Sequence, residues 1–297
     1  MAKPTTQDGY SAAVTESCER VLVTLLHGLG PWKRSVYLVG GLVPRYLIPD
    51  RPPAAPAHAG TGDVDIVVAL EMLAETEAYH TVEENLKKMG FERGENDAGQ
   101  KVSWRWKARI DEDTIVILEL LADNPEVAGG RVKPLPTEGR ISALNIPHAS
   151  MVFDHHLTQE ITAALLGDGG MATETIRFAD LVSFTCLKAL ALDDRGERKD
   201  AHDLVYCIEH WPGGPEAVAA LFREARKGKH AAVIDRALGI LRTRFTDDKK
   251  TEGYLKDGPV AVALFEPGGF SDADREVRLL RQRNVSELVT EVLAHVV

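Results

Sequence analysis

The chain has 297 residues, 44% of them hydrophobic, and carries 45 acidic against 35 basic side chains, for a formal net charge of −10. That length and apolar content can bury a sizeable core and leave room for two domains, while the acidic balance argues against a chain whose whole surface grips nucleic acid. The cysteines Cys18, Cys186 and Cys207 stand far apart, without disulfide-framework or metal-ligand spacing; with no apolar run of membrane length and no secretory h-region, the expectation is a soluble cytoplasmic protein.

Taken in chain order, Tyr10 to Gly28 has the period of an amphipathic helix. Ser35 to Val39 reads as a short buried strand, Gly40-Gly41 as the turn after it, and Leu42 to Ile48 as the opening of a helix. Glycines at a strand-to-helix turn let backbone N–H groups approach a phosphate closely, and the helix start favours its charge. Residues 49–59 include Pro49, Pro52, Pro53 and Pro56, which argues against helix or central strand. This segment is expected to be an inserted surface loop, either inert or a lid over a ligand.

The run from Gly60 to Val68 places Asp63 and Asp65 two apart in an otherwise apolar strand. Residues i and i+2 of a strand share a face, so the two carboxylates converge while Val64, Ile66 and Val68 bury the other side. Paired carboxylates repel and resist desolvation, and a bound divalent cation removes both objections. The competing reading is a solvated edge-strand face.

Glu75 to Met89 reads as a helix stopped by Gly90, and Val102 to Ala108 and Thr114 to Leu121 as strands joined by a turn at Asp111-Glu112. In the first strand Trp104 and Trp106 share one face while Lys101, Arg105, Lys107 and Arg109 share the other, which either meets phosphate or is simply solvated. A second basic cluster runs from Arg223 to Lys229. Residues 129–165 read as extended, including the alternating Ala149 to Phe153, with His155-His156 as surface histidines. Gly167 to Gly170 reads as a hinge, giving domains 1–167 and 168–297. Beyond it, helices are expected at about 176–192, 198–210, 215–227, 230–243 and 272–295, with a turn-rich stretch from Asp247 to Gly269.

Within the first of these helices Lys188 interrupts the apolar positions, and Asp193-Asp194-Arg195 and Lys199-Asp200-x-x-Asp203-Leu204 follow. A lysine in an apolar helix either presents a point charge to phosphate or snorkels to solvent. Asp200 either acts on a reacting hydroxyl or complements the helix dipole; Arg195 either binds phosphate or neutralises Asp193 and Asp194. Lys199 and Asp203 have the spacing of a helical ion pair.

Strand, Gly40-Gly41, short helix and then Asp63-x-Asp65 on the next strand resemble the nucleotidyltransferase fold of the polymerase-beta superfamily. Lys188, Arg195 and Lys199-Asp200-x-x-Asp203-Leu204 look like the signature of the AbiEii/AbiGii nucleotidyltransferase toxins of type IV toxin–antitoxin systems, with their MenT-like relatives. The resemblance covers about residues 35–210. It implies an α+β (α/β) architecture, a mixed-sheet nucleotidyltransferase domain followed by a mainly helical C-terminal domain that contributes Lys188 and Asp200 to the site.

It also implies catalytic roles for Asp63, Asp65, Lys188 and Asp200, nucleotide binding by Gly40, Gly41, Thr61, Lys188 and Arg195, and Mg²⁺ (or Mn²⁺) on Asp63 and Asp65. A third carboxylate from a later strand would be Glu119, with Asp113 and Asp123 as lesser candidates. The implied reaction transfers a nucleotide from an NTP to the 3′ acceptor end of tRNA, releasing pyrophosphate and blocking aminoacylation and translation. A cognate antitoxin, or a kinase that modifies the toxin, would then be its partner; a monomer is expected. Two departures stand out: the family commonly has Gly-Ser at Gly40-Gly41, and the gap from Gly41 to Asp63 is long. Transfer to a protein or small-molecule hydroxyl, and a binding module without catalysis, are the other two function classes.

Overall fold

In chain order the protein runs α1 (Ala12–Leu29), β1 (Val36–Val39), α2 (Pro44–Leu47), β2 (Asp63–Val68), α3 (Leu70–Ala74), α4 (Val82–Lys88), β3 (Glu92–Glu95), β4 (Lys101–Arg109), β5 (Ile115–Ala122), β6 (Val132–Pro134) and β7 (Ser142–Asn145). It continues with β8 (His156–Ala164), β9 (Met171–Ala179), α5 (Leu181–Arg195), α6 (Arg198–Glu209), α7 (Gly214–Ala225), α8 (Ala231–Phe245), α9 (Asp257–Phe265) and α10 (Arg275–Val296). This computed structural model describes residues 4–48, 54–75, 81–96, 98–137, 139–167, 169–267 and 274–296. It is a mixed α+β fold built on a nine-stranded sheet.

The chain divides into two compact units that interleave in sequence. The sheet unit is Ser11–Val43 with Gly60–Asp180; the helical unit is Met1–Tyr10 with Pro44–Ala59 and Leu181–Val297. This differs from a division at residues 167 and 168: the glycines there lie between β8 and β9, and the two strands pair without a break from Ala164↔Met171 to His156↔Ala179.

In the sheet unit the strand order is β3-β4-β5-β2-β1-β9-β8, with β6 and β7 joined beside β5. β1–β2, β4–β5 and β8–β9 are antiparallel, while β2–β5 and β1–β9 are parallel. α1 covers one face and is buried along Val21 to Leu26 as well as at Cys18 and Leu29, more than a single helical stripe. Val64 and Ile66 of β2, Trp106 of β4 and Leu118 of β5 are buried on the strands. Each fully buried side chain of this kind contributes about 1.5–3 kcal/mol of apolar transfer, which holds β2 at the centre of the sheet.

Several expectations shift. A single helix from Glu75 to Met89 is not what forms: α4 starts only after Thr81, whose side chain caps the Glu84 N–H while Glu84 caps Thr81 in return; part of the expected helix lies outside the described residues. Ala149–Phe153 is a 3-10 turn, not an alternating strand. Ile176 to Ala179 belongs to β9, where Ile176 and Phe178 are buried and alternate with Thr175 and Arg177; a period of two there outweighs the helical spacing that continues from Leu181.

In the helical unit residues 247–256 are turns as expected, but α9 takes up the following part of that stretch, with Pro259 in its first turn, where its missing N–H has no helical partner to lose. The described part of the proline-rich segment, residues 54–59, is a loop with Ala54, Pro56 and Ala57 exposed, but it is anchored: Ala55 and Ala59 are buried and the Pro56 carbonyl accepts from the Tyr206 hydroxyl. Residues 49–53, including Pro49, Pro52 and Pro53, lie outside the described residues. Among the described residues, no helix is long and apolar enough to cross a membrane.

Candidate active site

The sheet unit assembles its acidic face from strand register. β2 runs parallel to β5 with Asp65 opposite Glu119 and Asp63 opposite Ile117, and β4 sets Arg105 opposite Glu119. Residues in register on neighbouring strands face the same way, so Asp63, Asp65, Glu119 and Arg105 share one face, opposite the buried Val64 and Leu118. Asp63 and Asp65 are both half-buried.

Each carboxylate has a distinct setting. The Thr61 hydroxyl donates to Asp63 Oδ1 at 2.5 Å. Thr61 is itself fixed by α1: its N–H donates to Thr15 Oγ1 at 3.1 Å, and its carbonyl accepts from Thr15 Oγ1 and the Cys18 thiol. Asp65 packs on the turn after β1. Gly40 has φ +74°, and a Cβ there would lie 2.0 Å from Asp65 Oδ2. Positive φ and the nearness of the Asp65 carboxylate together favour glycine at 40. Burial first, and then the charges of Asp63 and Asp65, push the Cys18 thiol far above its ordinary range. The pair projects negative potential into its surroundings.

Glu119 is engaged differently. Arg105 donates through Nε to Glu119 Oε1 at 2.8 Å while its guanidinium sits 4.7 Å from the Trp104 ring centroid. Lys107 lies 3.8 Å from Glu92, so two cations of the basic strand already face carboxylates. Of the lesser candidates, Asp123 accepts from the Ser150 N–H and hydroxyl, a cap on the turn at Ala149–Phe153, and Asp113 is exposed in the turn before β5. The half-buried pair of Asp63 and Asp65 offers hard oxygen donors on one face, a set that suits Mg²⁺ or Mn²⁺.

The helical unit holds a second cluster, centred on α5 and α6. Lys188, 8% exposed, donates to Asp200 Oδ1 at 2.9 Å and to Asp203 Oδ2 at 2.6 Å. Arg195 forks onto both oxygens of Asp200 at 2.7 and 2.9 Å, and Lys199 reaches both oxygens of Asp203 at 2.8 Å. Asp200 and Asp203, spaced i and i+3 on α6, are 1% and 0% exposed. Burial alone would raise both carboxylates; Lys188 with Arg195, and Lys188 with Lys199, outweigh it and hold them below the usual range. Burial likewise pulls Lys188 down, and Asp203 and Asp200 more than restore it. Lys188 is thus a buried ion-pair partner, not a snorkelling side chain, and an anion held so firmly as Asp200 is a poor proton acceptor.

His58, from the proline-rich segment, completes this cluster, with Nε2 2.9 Å from Asp203 Oδ1. Burial lowers its pKa to about 4 against the opposing pull of Asp203. A neutral imidazole facing an ionised carboxylate must donate, so the proton sits on Nε2. His202 stacks on His58 at 5.6 Å between ring centroids, with no hydrogen-bond partner on either nitrogen and Glu266 3.5 Å from Nδ1. Ligand atoms of His58, His202 and Asp203 lie within 4.8 Å of one another. Two ammonium groups already occupy both oxygens of Asp203, a setting that repels a divalent cation. With His58 neutral, Lys188, Arg195 and Lys199 face Asp200 and Asp203, leaving one positive charge.

The structure thus gathers Asp63, Asp65, Glu119, Gly40 and Thr61 in the sheet unit, and Lys188, Asp200 and Arg195 in the helical unit. His58 and His202, which no sequence motif marks, join the second cluster. The only signal for them was a lone histidine in a proline-rich run and another inside the Lys199–Leu204 segment. No family model matches the chain, and no curated protein matches it.

Proposed function

We propose that the protein is an Mg²⁺-dependent nucleotidyltransferase of the AbiEii/AbiGii type, transferring a nucleotide from an NTP to the 3′ end of tRNA. The observation that carries this reading is the strand pair Asp63 and Asp65, half-buried on one face of a central strand, with Asp65 seated on the Gly40 turn. Asp63 and Asp65 would hold the ion, and when bound Mg²⁺ supplies Lewis-acid polarisation of phosphoryl oxygens. Thr61 restrains Asp63 through its hydroxyl, so its contribution is to orient a ligand carboxylate. Gly40 brings main chain close to the Asp65 carboxylate, and Gly40 with Gly41 would offer backbone donors to phosphate. Lys188, Arg195 and Asp200 enter the proposal on the resemblance, with Lys188 and Asp200 as a buried ion pair whose loss would depress transfer.

Transfer to a protein or small-molecule hydroxyl is the second reading. It is favoured by the net charge of −10 and by the engagement of Arg105 and Lys107 with Glu119 and Glu92, which leaves the basic strand less charge for RNA. Incubating the protein with Mg²⁺, each labelled NTP and total tRNA separates the two. Label on tRNA that disappears with Asp63→Asn supports the first reading; label confined to protein or an added small alcohol supports the second. Absence of any Asp63-dependent transfer or pyrophosphate release overturns both.

A further inference from the structure

The two ends of the main strand order are built differently. β3 is four residues long, carries Glu92, Arg93 and Glu95, and its pairing shifts register between Arg93 and Glu95. Short length, charge and a bulge are the usual means of blunting an edge. β8, at the other end, runs nine residues from His156 to Ala164 with an unbroken register and no proline, lysine or arginine.

The direction of its free groups follows from its hydrogen bonds. Leu165 N–H donates to the Gly170 carbonyl, and the Ala164 carbonyl accepts from Arg20. Since a residue's N–H and C=O point the same way in an antiparallel ladder, odd-numbered residues of β8 bond β9 and even-numbered ones face outward. Among the described residues, no strand pairs with β8 on that side, and Leu157, Thr158, Gln159 and Glu160 are exposed.

We propose that β8 is a homodimerisation edge, pairing antiparallel with β8 of a second copy about a two-fold axis at Gln159. Side-chain chemistry selects this register. It sets Thr158 opposite Glu160, His156 opposite Thr162 and the exposed Leu157 opposite Ile161, with no like charges facing. An axis at Glu160 opposes two carboxylates, which is destabilising. An axis at Ile161 needs Ala164, whose carbonyl Arg20 already occupies. The outward main chain of His156, Thr158, Glu160 and Thr162 would then be paired, and the sheet would continue through both copies.

Sedimentation velocity of the full chain over a concentration series tests this, with monomer–dimer exchange expected. Thr158→Pro removes an outward N–H that β9 does not use and so should leave folding intact while weakening the dimer at least ~10-fold, the loss of about 1.4 kcal/mol. Gln159→Lys, which opposes two ammonium groups across the axis, should act in the same direction. Gln159 faces itself in a non-hydrogen-bonded pair, where Cα atoms are about 4.5 Å apart. Gln159→Cys should therefore form a disulfide-linked dimer under mild oxidation, and Glu160→Cys should not; the native cysteines are buried. A chain that stays monomeric at every concentration overturns the proposal, as does a dimer indifferent to Thr158→Pro and Gln159→Lys or one cross-linked equally well through position 160.

Discussion

Each unit carries a pair of aspartates on one face of one element, and burial makes the two pairs chemically different. Asp200 and Asp203 are almost wholly inaccessible and locked by Lys188, Arg195, Lys199 and His58. Asp63 and Asp65 are half-buried, one held by a hydroxyl and the other lying against a glycine. Carboxylates clamped by cations in a dry site make loss of either partner costly; carboxylates left partly in water stay within reach of a metal and a substrate. The same residue type at the same kind of spacing is therefore locked into a dry ion-pair cluster in one unit and, in the function proposed here, left accessible to a metal in the other.

The largest expected effects separate these pairs. Asp63→Asn should lower nucleotide transfer on the order of 10³-fold or more while leaving the urea midpoint close to wild type. Asp203→Ala should do the reverse, costing about 3–5 kcal/mol by removing the partner shared by the buried Lys188 and the half-buried Lys199, read as a fall in the denaturation midpoint. If Asp63→Asn unfolds the chain while Asp203→Ala leaves its stability unchanged, the contrast between the pairs is wrong.

Acid should sharpen the same contrast. His58 titrates at about 4 in the fold against an ordinary value of 6.5. The unfolded chain therefore binds the extra proton first, and the stability His58 contributes is full above pH 6.5 and drains away as pH falls towards 4. The shift corresponds to about 3 kcal/mol. Urea titrations at intervals from pH 7.5 to 4 should show wild type losing stability faster than His58→Gln; parallel curves would remove His58 from the buried cluster.

Gly40→Ala tests the seat of Asp65. Strain at positive φ costs about 1–3 kcal/mol, and the new Cβ displaces the carboxylate, so transfer should fall further than stability. The smallest effect belongs to Glu119. As the partner of Arg105, replacement by Gln should cost roughly 0.5–1 kcal/mol and leave transfer within about tenfold of wild type. A loss as deep as that of Asp63→Asn would make Glu119 a third metal ligand.

Much of the sheet unit was legible in the sequence because its signals are local. Alternation located β2, β4 and β5, and the i, i+2 spacing placed Asp63 and Asp65 on one face before any partner strand was known. Legibility failed where two periodicities overlapped, as at Ile176 to Ala179, and where a cap outranked propensity, as at Thr81. The spacing of Lys199 and Asp203 announced their ion pair, but nothing local announced that Lys188 would join it.

The sequence by itself determined which residues share a strand or helix face, since that depends only on backbone period. Only the tertiary structure decided how deeply each charge is buried, that Arg105 would engage Glu119, that Gly40 answers to Asp65, and that His58 would cross a long stretch of chain to reach Asp203. Burial and pairing depend on what packs from distant segments, and the energy of a charge depends on both.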